Sequence, residues 1–164
     1  MTVATGASTA AAPRLPERSR DPVVAIAGAI VSAELTFAGR LAEAVARFES
    51  GGEAGIGPLG ELPQLIFALA LVLAGRGQEA LMWVERAGRA AGVLSAGPAA
   101  LAAAALRAEI TSDLDSLPPP PAVAGGLAGA LVLRAYAKGG DQTAAVALRS
   151  AAADLAMPAL VLGI

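Results

Sequence analysis

Residues 37–49 read FAGRLAEAVARFE and residues 73–85 read LAGRGQEALMWVE. One hydrophobic residue followed by A-G-R-x-x-E-A-[V/L]-x-x-[V/F]-E therefore occurs twice at a spacing of 36 residues. Gly39-Arg40 allows the chain to turn. Beyond it, Leu41–Ser50 carries Leu41, Ala44, Val45 and Phe48 at intervals of three and four, the spacing of an amphipathic helix. Glu43 and Arg47 stand four apart on the wet side of that helix, in the order that favours an ion pair. Each copy reads as the bend and second helix of a helical hairpin. A hairpin cannot cover its own apolar face, so such units are stable only when stacked in a row.

Helix signals elsewhere in the chain agree with that unit. Asp21-Pro22 is a helix start, with an acceptor side chain at the cap and a proline in the first turn, and it predicts a helix to about Ala38. Gly51–Gly60 reads as a connector. Pro63 opens a helix to Ala74 that is apolar nearly all round and so needs cover on more than one side. Gly75-Arg76-Gly77 breaks it, and Gln78–Ala91 follows with Ala80, Leu81, Val84, Ala87 and Ala91 in one stripe. Gly92 is a natural stop. Pro98 starts a segment to about Thr111, whose partner, Ser112–Leu117, is short and ends at Pro118–Pro121, which no helix interior accepts. The last unit starts near Ala122, bends at Lys138–Asp141 and resumes over Thr143–Met157 with Ala144, Ala145, Leu148, Ala152 and Leu155 in a stripe. With one extra residue in its bend, AYAKGGDQTAAVAL aligns with the two copies, which puts Tyr136 opposite Phe37 and Leu73. The expected architecture is all-α, stacked antiparallel hairpins forming a solenoid of about six to eight helices. Residues 1–21 read as a disordered tail, 22–157 as the helical domain with a break at 118–121, and 158–164 as an apolar tail or the start of a further helix.

Composition removes several classes of function. The 164 residues include no cysteine and no histidine, which excludes disulfides, thiol catalysis and thiolate or imidazole metal sites. Twelve Lys plus Arg against 14 Asp plus Glu, without a block of one sign, and 3% aromatics leave neither a phosphate-tracking surface nor stacking platforms. Direct nucleic-acid binding by this segment is not expected. The hydrophobic fraction of 55% and mean hydropathy of +0.62 resemble a membrane protein, but about a quarter of the chain is alanine. The longest apolar runs, Leu65–Ala74, Val23–Ala33 and Ala122–Leu133, fall short of the roughly twenty residues a membrane span needs. Arg134 interrupts any extension of the third. They read as core helices, and no membrane partner is expected.

The candidates for chemistry are few. Gly55–Gly60 spells G-x-G-x-x-G, but a helix precedes it where a nucleotide loop needs a strand, and Pro58 removes a backbone donor. Asp113, Asp115 and Lys138 sit beside prolines or glycines, where solvated turn residues are the ordinary case. No catalytic residue, cofactor or metal is expected. Trp83 lies one position from its helix's buried stripe, between Met82 and Val84, where it can rim a groove or pack on an adjacent unit. Glu34 is a carboxylate inside an apolar helix, and an outward orientation is preferred. The candidate partner-binding residues are Trp83, Met82, Arg86 and Glu34.

The A-G-R-x-x-E-A-[V/L] bends and alanine-rich second helices resemble tetratricopeptide-type repeats over roughly residues 22–157. They are most similar to the degenerate repeats of large bacterial LuxR-family and related ATP-dependent transcriptional activators. Trp83 falls in a second helix and Pro118–Pro121 interrupts the period, both departures from the repeat pattern. The resemblance implies a cytoplasmic, non-enzymatic module serving control of transcription in a bacterium. Such a module would bind a protein segment or another copy of itself along the face of its first helices. It also implies that this chain is the binding portion of such a regulator, since no G-x-x-x-x-G-K-[S/T] loop or basic helix-turn-helix occurs in it. The alternative from the residues is a helical domain that holds a small molecule in an apolar cavity; a small integral membrane protein comes third.

Overall fold

A computed structural model describes residues 22–51, 61–91 and 97–164. The tail 1–21, most of the expected connector with its G-x-G-x-x-G, and Gly92 lie outside the described residues. Those described form seven α-helices and no strand: α1 (Pro22–Phe37), α2 (Leu41–Gly51), α3 (Leu62–Leu73), α4 (Gly77–Ala91), α5 (Pro98–Thr111), α6 (Leu127–Lys138) and α7 (Gln142–Asp154). A short 3₁₀ turn, Pro158–Val161, follows. Prolines start α1 and α5 at their first residue and α3 at its second, where a missing N–H costs no hydrogen bond. At α7 the Asp141 carboxylate accepts from the N–H groups of Thr143 (2.9 Å) and Ala144 (3.0 Å).

The two copies of the repeated pattern adopt the same backbone. Gly39 and Gly75 both have φ of 78°, a left-handed conformation that a side chain disfavours. Gly39 N–H donates to Thr36 O and Arg40 N–H to Leu35 O; Gly75 N–H donates to Val72 O and Arg76 N–H to Leu71 O. These paired bonds satisfy the last carbonyls of α1 and α3 and aim the chain into the next helix. The bend after α6 repeats them, with Gly140 N–H on Ala137 O and Asp141 N–H on Tyr136 O. Gly140 is therefore the counterpart of Gly39 and Gly75, with no extra residue in the bend. Lys138, not Tyr136, stands opposite Phe37 and Leu73. Tyr136 instead donates its hydroxyl proton to Pro118 O (3.1 Å), tying the proline segment to α6.

In the first copy the ion pair differs from the expected Glu43–Arg47, and the second copy makes the same pair as the first. Arg40 forks onto Glu43, with Nε donating at 2.8 Å, and Arg76 forks onto Glu79 in the same way, also at 2.8 Å. Arg47 is not the partner. The repeated spacing R-x-x-E places the cation just before the helix and the carboxylate at its third residue, where the helix dipole favours negative charge.

Helix α3 is the centre of the packing. Nine consecutive residues, Pro63–Leu71, are buried, because α1, α2, α4 and α5 all pack against it. That is the cover its all-round apolar sequence demands. Further along, α5 lies against α4 and α6, and α7 against α6. Alanine keeps these helices close: Ala102, Ala103, Ala105 and Ala108 of α5 are buried, and a Cβ on Gly88 of α4 would sit 3.9 Å from that of Ala103. Of the expected stripes, Ala44, Val45, Ala80, Val84, Ala87, Ala144, Ala145, Leu148 and Ala152 are buried. Two polar side chains buried on α1 satisfy themselves within the helix, Ser32 Oγ donating to Gly28 O (2.9 Å) and Thr36 Oγ1 to Ser32 O (2.8 Å).

The last unit begins later than expected, at Leu127, and α7 ends at Asp154. Ala156 then takes φ of 53°, Ala156 N–H donates to Ala153 O and Met157 N–H to Ala152 O. This is the same reversal as at the glycine bends, made with alanine. It sends the 3₁₀ turn back across α6 and α7 onto α1.

Candidate functional site

Three aromatic side chains from successive helices form a ladder across the first two hairpins. Phe48 of α2 stacks on Phe67 of α3 with centroids 4.4 Å apart and rings 9° from parallel. Trp83 of α4 meets Phe67 edge-on at 5.1 Å and 72°. Both geometries suit the ring quadrupole. The Arg86 guanidinium carbon lies 5.7 Å from the Trp83 ring centroid, a cation–π contact one helical turn on. Trp83 is thus half-buried and held on two sides, while its neighbour Met82 is 65% exposed.

The structure brings Trp83, Met82 and Arg86 together on α4. Glu34 is elsewhere, exposed on α1 in the outward orientation its sequence context favours. It shares a helix face with Ile30, four residues earlier and 52% exposed. Helix α3 leaves no open face over Pro63–Leu71, so a docking surface running along the first helices is not available at the centre of the stack.

A second cluster joins α5, α6 and the chain beyond α7. Arg134 of α6 and Glu109 of α5 form a two-pronged ion pair, Nε to Oε2 at 2.9 Å and Nη2 to Oε1 at 2.8 Å. Their side chains are only 2% and 5% exposed. Arg134 Nη1 donates in addition to the carbonyls of Leu160 (2.6 Å) and Leu162 (2.9 Å). Lys138 Nζ donates to Gly163 O (2.9 Å). In the sequence Arg134 stands out only as an interruption of an apolar run, and Glu109 carries no signal of its own. The available signal is a lone arginine inside ALVLRAYA, which a buried helix tolerates only with a partner. Nothing local points to that partner, 25 residues away.

These residues also border an open cleft of about 570 Å³ between the α3–α4 bend and the segment after α7. Arg76, Glu79, Glu109, Arg134 and Lys138 all face it. Their charges are already engaged. Besides Glu79, Arg76 holds Glu49 (3.1 Å), and Lys138 has the Gly163 carbonyl. The Arg76 bond holds the Glu79 carboxyl below its ordinary range, as Arg40 does for Glu43. Gln64 is a further buried polar side chain, on α3, and its Oε1 takes no hydrogen bond among the described residues.

Among the described residues, no group of three or more Asp or Glu is placed to hold a metal ion, and no helix is long and apolar enough to cross a membrane. Comparison of the chain with protein families, with curated proteins and with solved structures finds no match in any of the three. Over its described residues the protein is all-helical.

Proposed function

We propose that the chain is a non-enzymatic interaction module, a tetratricopeptide-like stack of helical hairpins that binds a protein segment at the outward edge of α4. The observation that carries this reading is the arrangement at positions 82, 83 and 86. Trp83 is immobilised by Phe67 and Arg86, and a large flexible hydrophobe, Met82, stands beside it in water. A rigid aromatic anchor next to an adaptable thioether suits a surface that closes over an incoming apolar side chain. The bends and alanine-rich helices support a setting like that of the repeat regions they resemble, regulation of transcription in the bacterial cytoplasm. Residues 30 and 34 of α1 form a lesser surface on the same reading.

A photo-reactive amino acid at position 82, introduced into the chain in its own cells, tests the proposal. Discrete covalent adducts with protein are expected from position 82 and are lost with Trp83→Ala. Position 146, where Val146 is 64% exposed on α7, serves as the control. Identical adducts from both positions, or none from 82, overturn the reading.

A further inference from the structure

Residues 158–164 lie on the rest of the chain as a bound peptide lies on its receptor. Leu160 is fully buried and Ala159 is 2% exposed, in a groove made by α1, α6 and α7. Three successive stretches of backbone are gripped by side chains: Leu160 O and Leu162 O by Arg134, Gly163 O by Lys138. The gripping arginine is held in place from behind by Glu109, so its free prong is oriented before any peptide arrives. None of this recognition depends on the peptide being joined to α7 of the same chain.

The joint itself is under strain. Leu155, Ala156 and Met157 connect α7 to the segment, and Ala156 has φ of 53°, a conformation alanine avoids. Opening the joint relieves that strain. Pro158 prevents α7 from running on as a helix through the segment, so an opened segment leaves as a separate arm. A short strained connection between an element and the site it fills is the arrangement from which segment exchange arises.

We propose that residues 158–164 exchange between two copies of this chain, each filling the partner's groove and gripped by the partner's arginine and lysine. Every contact in the groove is the same in the closed monomer and in the exchanged dimer. Hinge strain and concentration therefore decide between them. When the exchange is reciprocal, each of two copies filling the other's groove, the assembly closes as a two-fold dimer. This deepens the interaction-module reading by naming a second copy as a partner, but it does not involve the α4 edge. Loss of adducts at position 82 leaves exchange untouched, and absence of exchange leaves those adducts untouched.

The test uses the full chain, concentrated, warmed below its melting temperature and cooled, with mass followed by light scattering during gel filtration. A dimer is expected to form. In a 1:1 mixture of ¹³C-labelled and unlabelled chains, isotope-filtered spectra of it should show contacts between Leu160 methyls of one copy and α1 and α6 of the other. Ala156→Gly relaxes the closed hinge and should lower the dimerisation constant about tenfold, two hinges being relieved per dimer. Ala156→Val strains it further and should raise the constant. A chain that stays monomeric throughout, a dimer without those intermolecular contacts, or hinge variants that fail to move the constant in opposite directions overturns the proposal.

Discussion

The bend after α3 and the reversal after α7 share one hydrogen-bonding pattern and one left-handed residue, yet the first uses Gly75 and the second Ala156. At Gly75 the local sequence supplies the conformation at no steric cost, and the pattern A-G-R-x-x-E announces it. At Ala156 the backbone is strained, and the local sequence supplies only Pro158, which stops the helix without providing a residue suited to the left-handed turn. It is held from outside, by the burial of Leu160 and by the grip of Arg134 and Lys138 on the following carbonyls. The same shape is written into the chain in one place and imposed by the fold in the other.

The most severe way to break this comparison is to remove what imposes the second turn. Glu109→Ala leaves the Arg134 charge buried without its counter-ion, and a loss of about 3–5 kcal/mol is expected, or roughly 10 °C in a thermal melt. Glu109→Gln keeps an acceptor and the shape and should lose less. Released amide protection at residues 158–164, measured by hydrogen exchange, would show that the pair acts through the segment.

Swapping the residues at the two turns sharpens the contrast. Gly75→Ala puts a Cβ at φ 78° and should cost about 1–2 kcal/mol in urea unfolding. Ala156→Gly should do the reverse and stabilise by about 0.5–1 kcal/mol. If both changes destabilise, the turn after α7 is not strained and the distinction fails.

The smallest effect concerns the ion pairs beside the glycine bends. Glu43 and Glu79 have their carboxyl groups lowered from the ordinary value of 4.5 by hydrogen bonds from Arg40 and Arg76. A depressed folded value means that their contribution is present above about pH 4.5 and is lost as the pH falls through the folded value. Both carboxylates are exposed, so the contribution is slight and screened by salt. Denaturation midpoints of the native chain and of Glu79→Gln should converge on acidification. A gap that persists below pH 3 means that Glu79 acts through something other than its charge.

Much of this fold was legible from local chemistry. The range Pro98–Thr111, the start of α2 at Leu41 and the breaks at Gly39 and Gly75 follow from prolines, glycines and apolar spacing that act over one or two turns. The all-round apolar surface of the third helix likewise required its burial. What escaped were pairings that no local rule sets. Arg40, not Arg47, holds Glu43, because both lie within reach and only the side-chain geometry chooses. Tyr136 lost its supposed equivalence to Phe37 once hydrogen bonds assigned Gly140 to the bend. At the candidate site, the exposure of Met82 and the half-burial of Trp83 agree with their places beside the stripe, but the Phe48–Phe67–Trp83 ladder joins three helices and has no signature in any one of them.

For this protein, then, the order of residues alone determined that the described chain is helical and where it reverses at glycine, since backbone preference and apolar period are properties of neighbours in the chain. Tertiary structure alone decided that Arg134 meets Glu109, that residues 158–164 return to α1, and that an alanine takes a glycine's conformation. Those outcomes depend on desolvation and on contacts between residues far apart in sequence, which exist only once the helices have packed.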